Sequence, residues 1–519
     1  MMVTAIAARL IPGPRTIDDA YITFRYARNI LAGNGFVFNP GERVLGTTTP
    51  LYTAWLVLWG AIGGGTQAAF PTLAMVSNAV FDAICCWLIY RIGKRLGAPN
   101  AGLAAAFILS IAPFSVTFAI GGLETSLYCC LLLGLSLAHL GGRNWLAAFL
   151  SGLAFLTRPD ALILILPLGL ERLRQVYFDR GKSPIWRDYR LGLEAAAFSI
   201  PVAAWLIFAN DYFGNPLPHS IAAKSVAYLL PRESALVRLL QHYATPFMDD
   251  LTLGELGIGI GLFLYPSLYV VGALAAFRND RVSWPFLTYP WLYFAAFAIA
   301  NPLVFRWYLT PILPFYFLGI LMGVNRLLIA GFSWLDRSAQ KSAQRFSRFR
   351  MALLALFLFI VPAVLTLHGW TLYPDHGLTH PAPKMAWYKL ELLYRQAAEV
   401  LNAQLSAERD YAIVLAAGDV GVLGYYTPTR ILDTVGLNSA VSTRYYPLPR
   451  SAYAINYAIP PGLIFDQAPD WIIILEVYGR SALLKEAKFH ELYRLRQKLP
   501  TDIYGSDGML IFERKAPQG

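Results

Sequence analysis

Two adjacent carboxylates, Asp18 and Asp19, stand near the start of the amphipathic stretch Thr16–Leu31. A carboxylate beside neutral partners and an apolar ceiling can take a proton from an acceptor hydroxyl. Where two are neighbours, one can be the base while the other orients substrate. Thr16 followed three residues later by Asp19 matches a capping box with Asp in place of Glu. Gly33-Asn34-Gly35 supplies the helix stop. Both carboxylates are therefore expected on the first turn of a short helix. Acidic residues there also stabilise a helix by about 0.3–1 kcal/mol each without any chemistry, so the pair alone is a weak signal.

Other ionisable residues recur beside apolar runs. Glu124 follows Gly121-Gly122-Leu123, Arg158 and Asp160 flank Pro159, and Tyr212–His219 leads to Lys224. Arg306 and Tyr308 open another apolar run, and Arg25 lies on the same helix as the acidic pair. An ionisable side chain facing lipid costs about 2.5–3.5 kcal/mol at mid-helix, so such residues mark a functional cavity by default. Each also has a plainer reading. Glu124 could cap a helix, Arg158 and Asp160 could pair at a kink, and Lys224 and Arg306 could snorkel to headgroups. His219 could serve as a loop hydrogen-bonder, and Tyr308 as part of an aromatic belt.

The elements that position these groups follow from composition. Of the 519 residues, 56% are hydrophobic and 14% charged, with mean hydropathy +0.47. Soluble chains carry about 25% charged residues, so most of this chain belongs in a bilayer. Disorder, collagen, coiled coil and a disulfide-rich secreted fold are excluded. The net charge of +11 lies wholly before residue 371, because 371–519 holds 15 basic and 15 acidic residues. Most of the excess sits in short turns between apolar runs, which is the positive-inside pattern and not a nucleic-acid surface. Cys85, Cys86, Cys129 and Cys130 fall within apolar runs and read as small fillers.

Spans are predicted near 69–90, 100–120, 123–140, 190–209, 253–277, 284–300, 309–330 and 351–370. Runs 144–157 and 161–173 read as half-length helices meeting at Thr157-Arg158-Pro159-Asp160. Residues 1–12 hold about half a spanning helix and read as a truncated first span. The run 51–64 suits an interfacial or re-entrant helix. About eleven spans result. With the basic turns in the cytoplasm, the first outer loop (13–68) and the carboxyl terminus face outward. The predicted fold is a polytopic α-helical membrane protein. Residues 1–370 form the membrane-embedded domain and 371–519 an extracytoplasmic α/β domain.

In that tail Lys384–Leu405 reads as an amphipathic helix. Tyr411–Ala417, Arg430–Thr434, Trp471–Val477 and Met509–Glu513 read as buried strands, with helical material at Ser481–Leu492. Ala417–Tyr426 is a glycine-bearing strand-to-helix turn. Its spacing favours a structural turn over a phosphate cradle. Asp419, Tyr425, Tyr426 and Asp433 are candidates to hold an acceptor by position.

The motifs IDDAYITFRYARNILAGNGFVFNPGERVLGTTTPLY, GGLETSL, LTRPD, YFGNPLPHSIAAKS, RWYLTPILP and AGDVGVLGYY occur in that order along nearly the whole chain. Together they resemble bacterial GT-C glycosyltransferases that use a polyprenyl-phosphate sugar. The nearest likeness is to the mycobacterial terminal arabinofuranosyltransferases. The lipid A aminoarabinose and protein O-mannosyl transferases are more distant. The resemblance implies a site at the outer face of the bacterial inner (plasma) membrane. It also implies a base matching Asp18 with Asp19 beside it, and a basic pocket for the lipid phosphate, for which Arg158, Lys224 and Arg306 fit by position. Arg25, Glu124, Asp160, His219 and Tyr308 complete the expected substrate-binding set.

The chemistry then expected is inverting transfer of one sugar from a polyprenyl-phosphate donor to an acceptor hydroxyl of a glycan, lipid or protein. Phosphate is already a good leaving group and asks for cationic stabilisation, not an acid. No cofactor is expected, and nothing in the sequence demands a divalent metal. A transporter or flippase of a lipid-linked glycan is the alternative, although it calls for ionisable residues deep in the spans.

Overall fold

The computed structural model describes residues 1–179, 189–247, 254–335, 360, 361, 364, 386–405 and 412–516. The expected span 351–370 and the starts of the segments at Lys384 and Tyr411 lie outside the described residues. The chain divides into two compact units. One comprises Met1–Pro14, Ala74–Trp205 and Arg232–Pro374. The other comprises Arg15–Leu73, Leu206–Pro231 and Asp375–Gly519. This make-up differs from the expected division at residue 370, since residues 15–73 and 206–231 cluster with the carboxyl-terminal domain.

The first unit is helical. Among the described residues, four helices are long and apolar enough to cross a membrane: Phe70–Arg95, Arg190–Phe213, Gly254–Asn279 and Arg306–Ala330. A fifth crossing arises if Pro99–Ile111 and Pro113–Ile120, bent by 48°, form one span. The bend falls where Pro113 removes an amide and forces Ala112 out of the helical region. Helices Thr125–Leu140, Asn144–Thr157 and Trp284–Ala300 match expected segments but have 16, 14 and 17 residues. The run expected at 161–173 is longer, a helix over Leu162–Asp179.

The amino-terminal helix Met2–Leu10 is anchored by a fully buried arginine. Arg9 Nε donates to Asp82 Oδ2 at 2.7 Å, and its other nitrogens reach Ser115 Oγ and the Ala5, Leu109 and Ser110 carbonyls. Helices Gly254–Asn279 and Leu313–Leu335 pack backbone to backbone through small residues. A Cβ on Gly272 would strike the Gly319 carbonyl, and one on Gly323 the Leu268 carbonyl.

The basic ends of this unit converge. His139 is tied to the Val282 backbone, Trp284 donates to Glu171 at 2.7 Å, and Gly97 lies against the Asn279 side chain. These contacts gather the turns bearing Lys94, Arg95, Arg143, Arg172, Arg278 and Arg281 at one end of the helices. Glu124, Arg158 and Asp160 are joined elsewhere in the same unit.

The second unit contains a five-stranded sheet: β1 (Val414–Ala417), β2 (Arg430–Asp433), β3 (Trp471–Leu475), β4 (Tyr493–Leu499) and β5 (Met509–Arg514). The order is β2-β1-β3-β5-β4, with β1 parallel to β2 and β3 and the remaining pairs antiparallel. Every residue of β3 is buried, as its run of Ile and Leu requires. The reading of the sequence missed β4, because only its two end residues are buried. It is an edge strand whose Arg494 and Arg496 pair with Glu513 on β5, and charge on an edge discourages further pairing.

Helices Asp18–Leu31 and Pro50–Ile62 also belong to this unit, as does Ala386–Asn402, the observed form of the amphipathic segment. Gly33, at φ 79, ends the first as expected. The capping box does not form. The residue preceding the helix is Ile17, which has no capping side chain, and Thr16 bonds Tyr21 instead.

Candidate active site

The acidic pair sits where the chain's distant parts meet within the second unit. The Asp18 backbone N–H donates to Glu391 Oε1 at 2.7 Å. A carboxylate from helix Ala386–Asn402 therefore supplies the cap that the local sequence lacks. The Asp18 side chain points the other way along the chain. Its Oδ2 accepts the Gly421 amide at 2.8 Å and its Oδ1 the Val422 amide at 2.7 Å. Those amides open the short helix Gly421–Tyr426, which follows β1. The amides of the glycine-bearing turn thus do hold a group, and that group is the carboxyl of Asp18. The approach requires glycine, because a Cβ at Gly421 would collide with the Asp18 carbonyl.

Asp19 is placed differently. Its Oδ2 lies 4.0 Å from Lys224 Nζ, and the two side chains are 34% and 25% exposed. Both remain accessible, whereas Asp18 is clamped on both oxygens. Lys224 comes from the last turn of helix His219–Ala227. That helix is tied down by the His219 amide donating to the Leu45 carbonyl at 2.8 Å. The half-buried His219 ring has Nε2 out of contact with solvent and without a hydrogen bond, and burial lowers its pKa.

Asp419 lies just past the carboxyl end of β1, the edge of a parallel sheet where sites commonly form. Its Oδ2 accepts Tyr394 Oη at 2.7 Å and Tyr478 Oη at 3.3 Å. Asp18, Asp19, Asp419 and Glu391 therefore form one acidic cluster lined by tyrosines. Burial pushes the Asp18 carboxyl well above the ordinary carboxylate range, and Asp419 repels it further, against the pull of the two amides. Burial likewise raises Glu391, with Asp18 the leading repulsive neighbour. Asp419 is raised by burial and partly relieved by the Tyr394 hydroxyl.

Several expected site residues have other work. Arg25 is 2% exposed, donates to Phe38 O, Gly424 O, Asn39 Oδ1 and Thr429 O, and stacks on the Phe38 ring. It knits the loop after helix Asp18–Leu31 to the sheet domain. Asp433 is fully buried and accepts the Val435, Gly436 and Asn438 amides, so it organises its own turn and has no face for an acceptor. Tyr425 and Tyr426 pack with Tyr21 under the Arg28 and Arg395 guanidiniums.

In the other unit Arg158 is extended at φ −154, as the residue before Pro159 must be. It grips Asp160 with two bonds of 3.0 Å, lies 3.5 Å from Glu124, and sits over the Tyr128 and Tyr308 rings. Tyr293 bonds both Asp160 and the Tyr308 carbonyl. Here two carboxylates answer one guanidinium, so Arg158 carries no surplus charge for a phosphate. Arg306 is half-buried at the head of the 3-10 turn Arg306–Ile312.

Glu391, Tyr394 and Tyr478 were not legible as site residues. One signal existed for the first two. Glu391, Tyr394 and Ala398 follow i, i+3, i+7 spacing on the buried face of their helix, where a carboxylate is out of place.

Comparison with known proteins agrees with this architecture. Over 100% of this chain and 74% of the other, the fold matches the apo crystal structure of the Archaeoglobus fulgidus oligosaccharyltransferase, with TM-score 0.55 and 13% identity. Over 99% and 97% it matches ArnT from Cupriavidus metallidurans bound to undecaprenyl phosphate, with TM-score 0.54 and 12% identity. The fold is that of the GT-C membrane glycosyltransferases. A family model described as Dolichyl-phosphate-mannose-protein mannosyltransferase matches residues 48–208, and one described as Domain of unknown function (DUF8728) matches 385–512.

By sequence the chain is related to terminal beta-(1->2)-arabinofuranosyltransferases. It is 30% identical over 238 residues to that of Mycobacterium tuberculosis, covering 40% of this chain and 35% of the relative. It is 28% identical over 306 residues to that of Corynebacterium glutamicum, covering 51% and 39%. The matched region spans little more than a third of the length of these curated relatives.

Proposed function

We propose that this chain is an inverting glycosyltransferase that moves one sugar from a polyprenyl-phosphate donor to an acceptor hydroxyl outside the cytoplasmic membrane. The observation that carries the reading is the division of labour in the acidic pair: Asp18 is fixed by two amides, and accessible Asp19 faces Lys224 at 4.0 Å. Asp19 takes the proton of the acceptor hydroxyl as its oxygen attacks the anomeric carbon. The bond from that carbon to the phosphate oxygen breaks, and the polyprenyl phosphate leaves with its charge stabilised by Lys224. Attack opposite the leaving group inverts the centre.

Asp18 and Glu391 position the first turn of the helix. This moves the expected base by one residue, from Asp18 to Asp19. Arg158 braces its own turn and is not the phosphate ligand. Because the leaving group needs only cationic stabilisation, we propose that no divalent metal is required and that a chelator leaves the rate unchanged.

The names of the sequence relatives support an arabinofuranosyl donor. The undecaprenyl phosphate in the ArnT structure supports the carrier class. About eleven crossings, with the basic turns in the cytoplasm, would leave Asp19 and the sheet domain outside.

The test is release of polyprenyl phosphate from a panel of polyprenyl-phosphate sugars by the purified full chain. The arabinofuranosyl donor is expected to turn over, and Asp19→Asn to lower the rate by about 10²–10⁴. Turnover of Asp19→Asn at the wild-type rate would remove Asp19 as the base.

A further inference from the structure

At the basic end of the helical unit, helices Gly254–Asn279 and Leu313–Leu335 leave a groove of about 480 Å³ between them. Val271, Leu274 and Ala275 form an apolar wall, and Arg278, Asn279 and Arg326 form a polar lip. Both arginines are exposed, and among the described residues neither makes an ion pair. Three described carboxylates of this end of the unit are otherwise engaged. Glu171 is held by Arg174 and Trp284, Glu194 by Arg172, and Asp280 caps the turn that follows it. The glycine contacts at Gly272, Gly319 and Gly323 fix the two helices at close range, so the arginines are presented from a rigid pair and not from loops.

We propose that this groove binds an anionic phospholipid of the surrounding bilayer. Two guanidiniums with no acidic partner among the described residues match a phosphodiester, which each can grip through paired N–H donors. The apolar wall below them takes the start of an acyl chain. Basic pockets between spanning helices recognise anionic headgroups by this combination of charge and grease. A zwitterionic headgroup offers the same phosphodiester but adds a quaternary ammonium, which the two guanidiniums repel. The inference stands apart from the sugar chemistry proposed above, since it uses none of the acidic cluster.

The test is native mass spectrometry of the full chain released from nanodiscs of phosphatidylglycerol or phosphatidylcholine. The wild type is expected to retain phosphatidylglycerol and not phosphatidylcholine. Arg278→Gln with Arg326→Gln should weaken that retention about thirtyfold, at about one factor of five per cation. Arg143→Gln, at the same end but outside the groove, should leave it unchanged. Ala275→Phe, which fills the groove without altering charge, should reproduce the loss even if the double variant purifies poorly. Equal retention of both lipids, or retention insensitive to the double variant and to Ala275→Phe, would overturn the site. So would stoichiometric displacement of phosphatidylglycerol by undecaprenyl phosphate, which would make the groove a donor site.

Discussion

The carboxylate of Asp18 closes onto the amide of Gly421, with Val422 holding its other oxygen, across 403 residues of sequence. One short contact thus joins the start of helix Asp18–Leu31 to the turn after β1 and sets where Asp19 stands. Gly421→Ala is expected to push this turn away from Asp18 without touching a reacting group. A displacement near 1 Å can cost about a hundredfold in rate. Transfer assays should show that drop in kcat, with circular dichroism and detergent elution profile unchanged.

Lys224→Gln removes the cation facing Asp19. If Lys224 steadies the departing phosphate, kcat should fall by about 10²–10³ while the donor KM changes little. Arg158→Gln is the informative contrast. It strands Asp160 and Glu124, whose partner has a side chain only 4% exposed. Breaking a buried pair costs about 3–5 kcal/mol, so lost yield of folded protein is expected, measured by fluorescence-detected size exclusion. Lysine should not rescue it, since the fork that grips Asp160 is gone.

The acidic cluster gives stability a pH dependence of definite sign. Asp18, Glu391 and Asp419 have folded pKa values raised above their ordinary ones, burial being the main cause. The folded chain therefore binds more protons than the unfolded one between those values. Stability rises as pH falls from above the raised values toward the ordinary carboxylate range. Melting followed by tryptophan fluorescence should show a higher Tm at pH 5.5 than at pH 8. Asp419→Asn removes a repulsive neighbour of Asp18 and should shrink that difference.

Arg9→Met leaves Asp82 buried without its cation and is expected to destabilise by about 3–5 kcal/mol. The double variant Arg9→Met with Asp82→Leu should recover most of the loss, because an apolar pair needs no compensation. Thermal stability in detergent of the two single variants and the double variant checks both statements.

By itself the amino-acid sequence determined the elements whose signals are local. Runs of apolar residues marked the helices from Phe70 to Ala300, proline marked the break at Pro159, and glycine marked the stop at Gly33. It also determined that Asp18 and Asp19 share a first helical turn, since spacing alone fixes that. The strand Tyr493–Leu499 stayed hidden because an exposed edge has no apolar period to read. Only the tertiary structure decided which carboxylate is clamped and which is accessible. It brought Glu391, Gly421 and Val422 to Asp18 and Lys224 to Asp19. Likewise it spent Arg158 on two carboxylates and buried Arg25 among four carbonyl and amide oxygens. Residue type states what a side chain is able to bind. Which partner it meets depends on contacts hundreds of residues apart, and no local spacing encodes them.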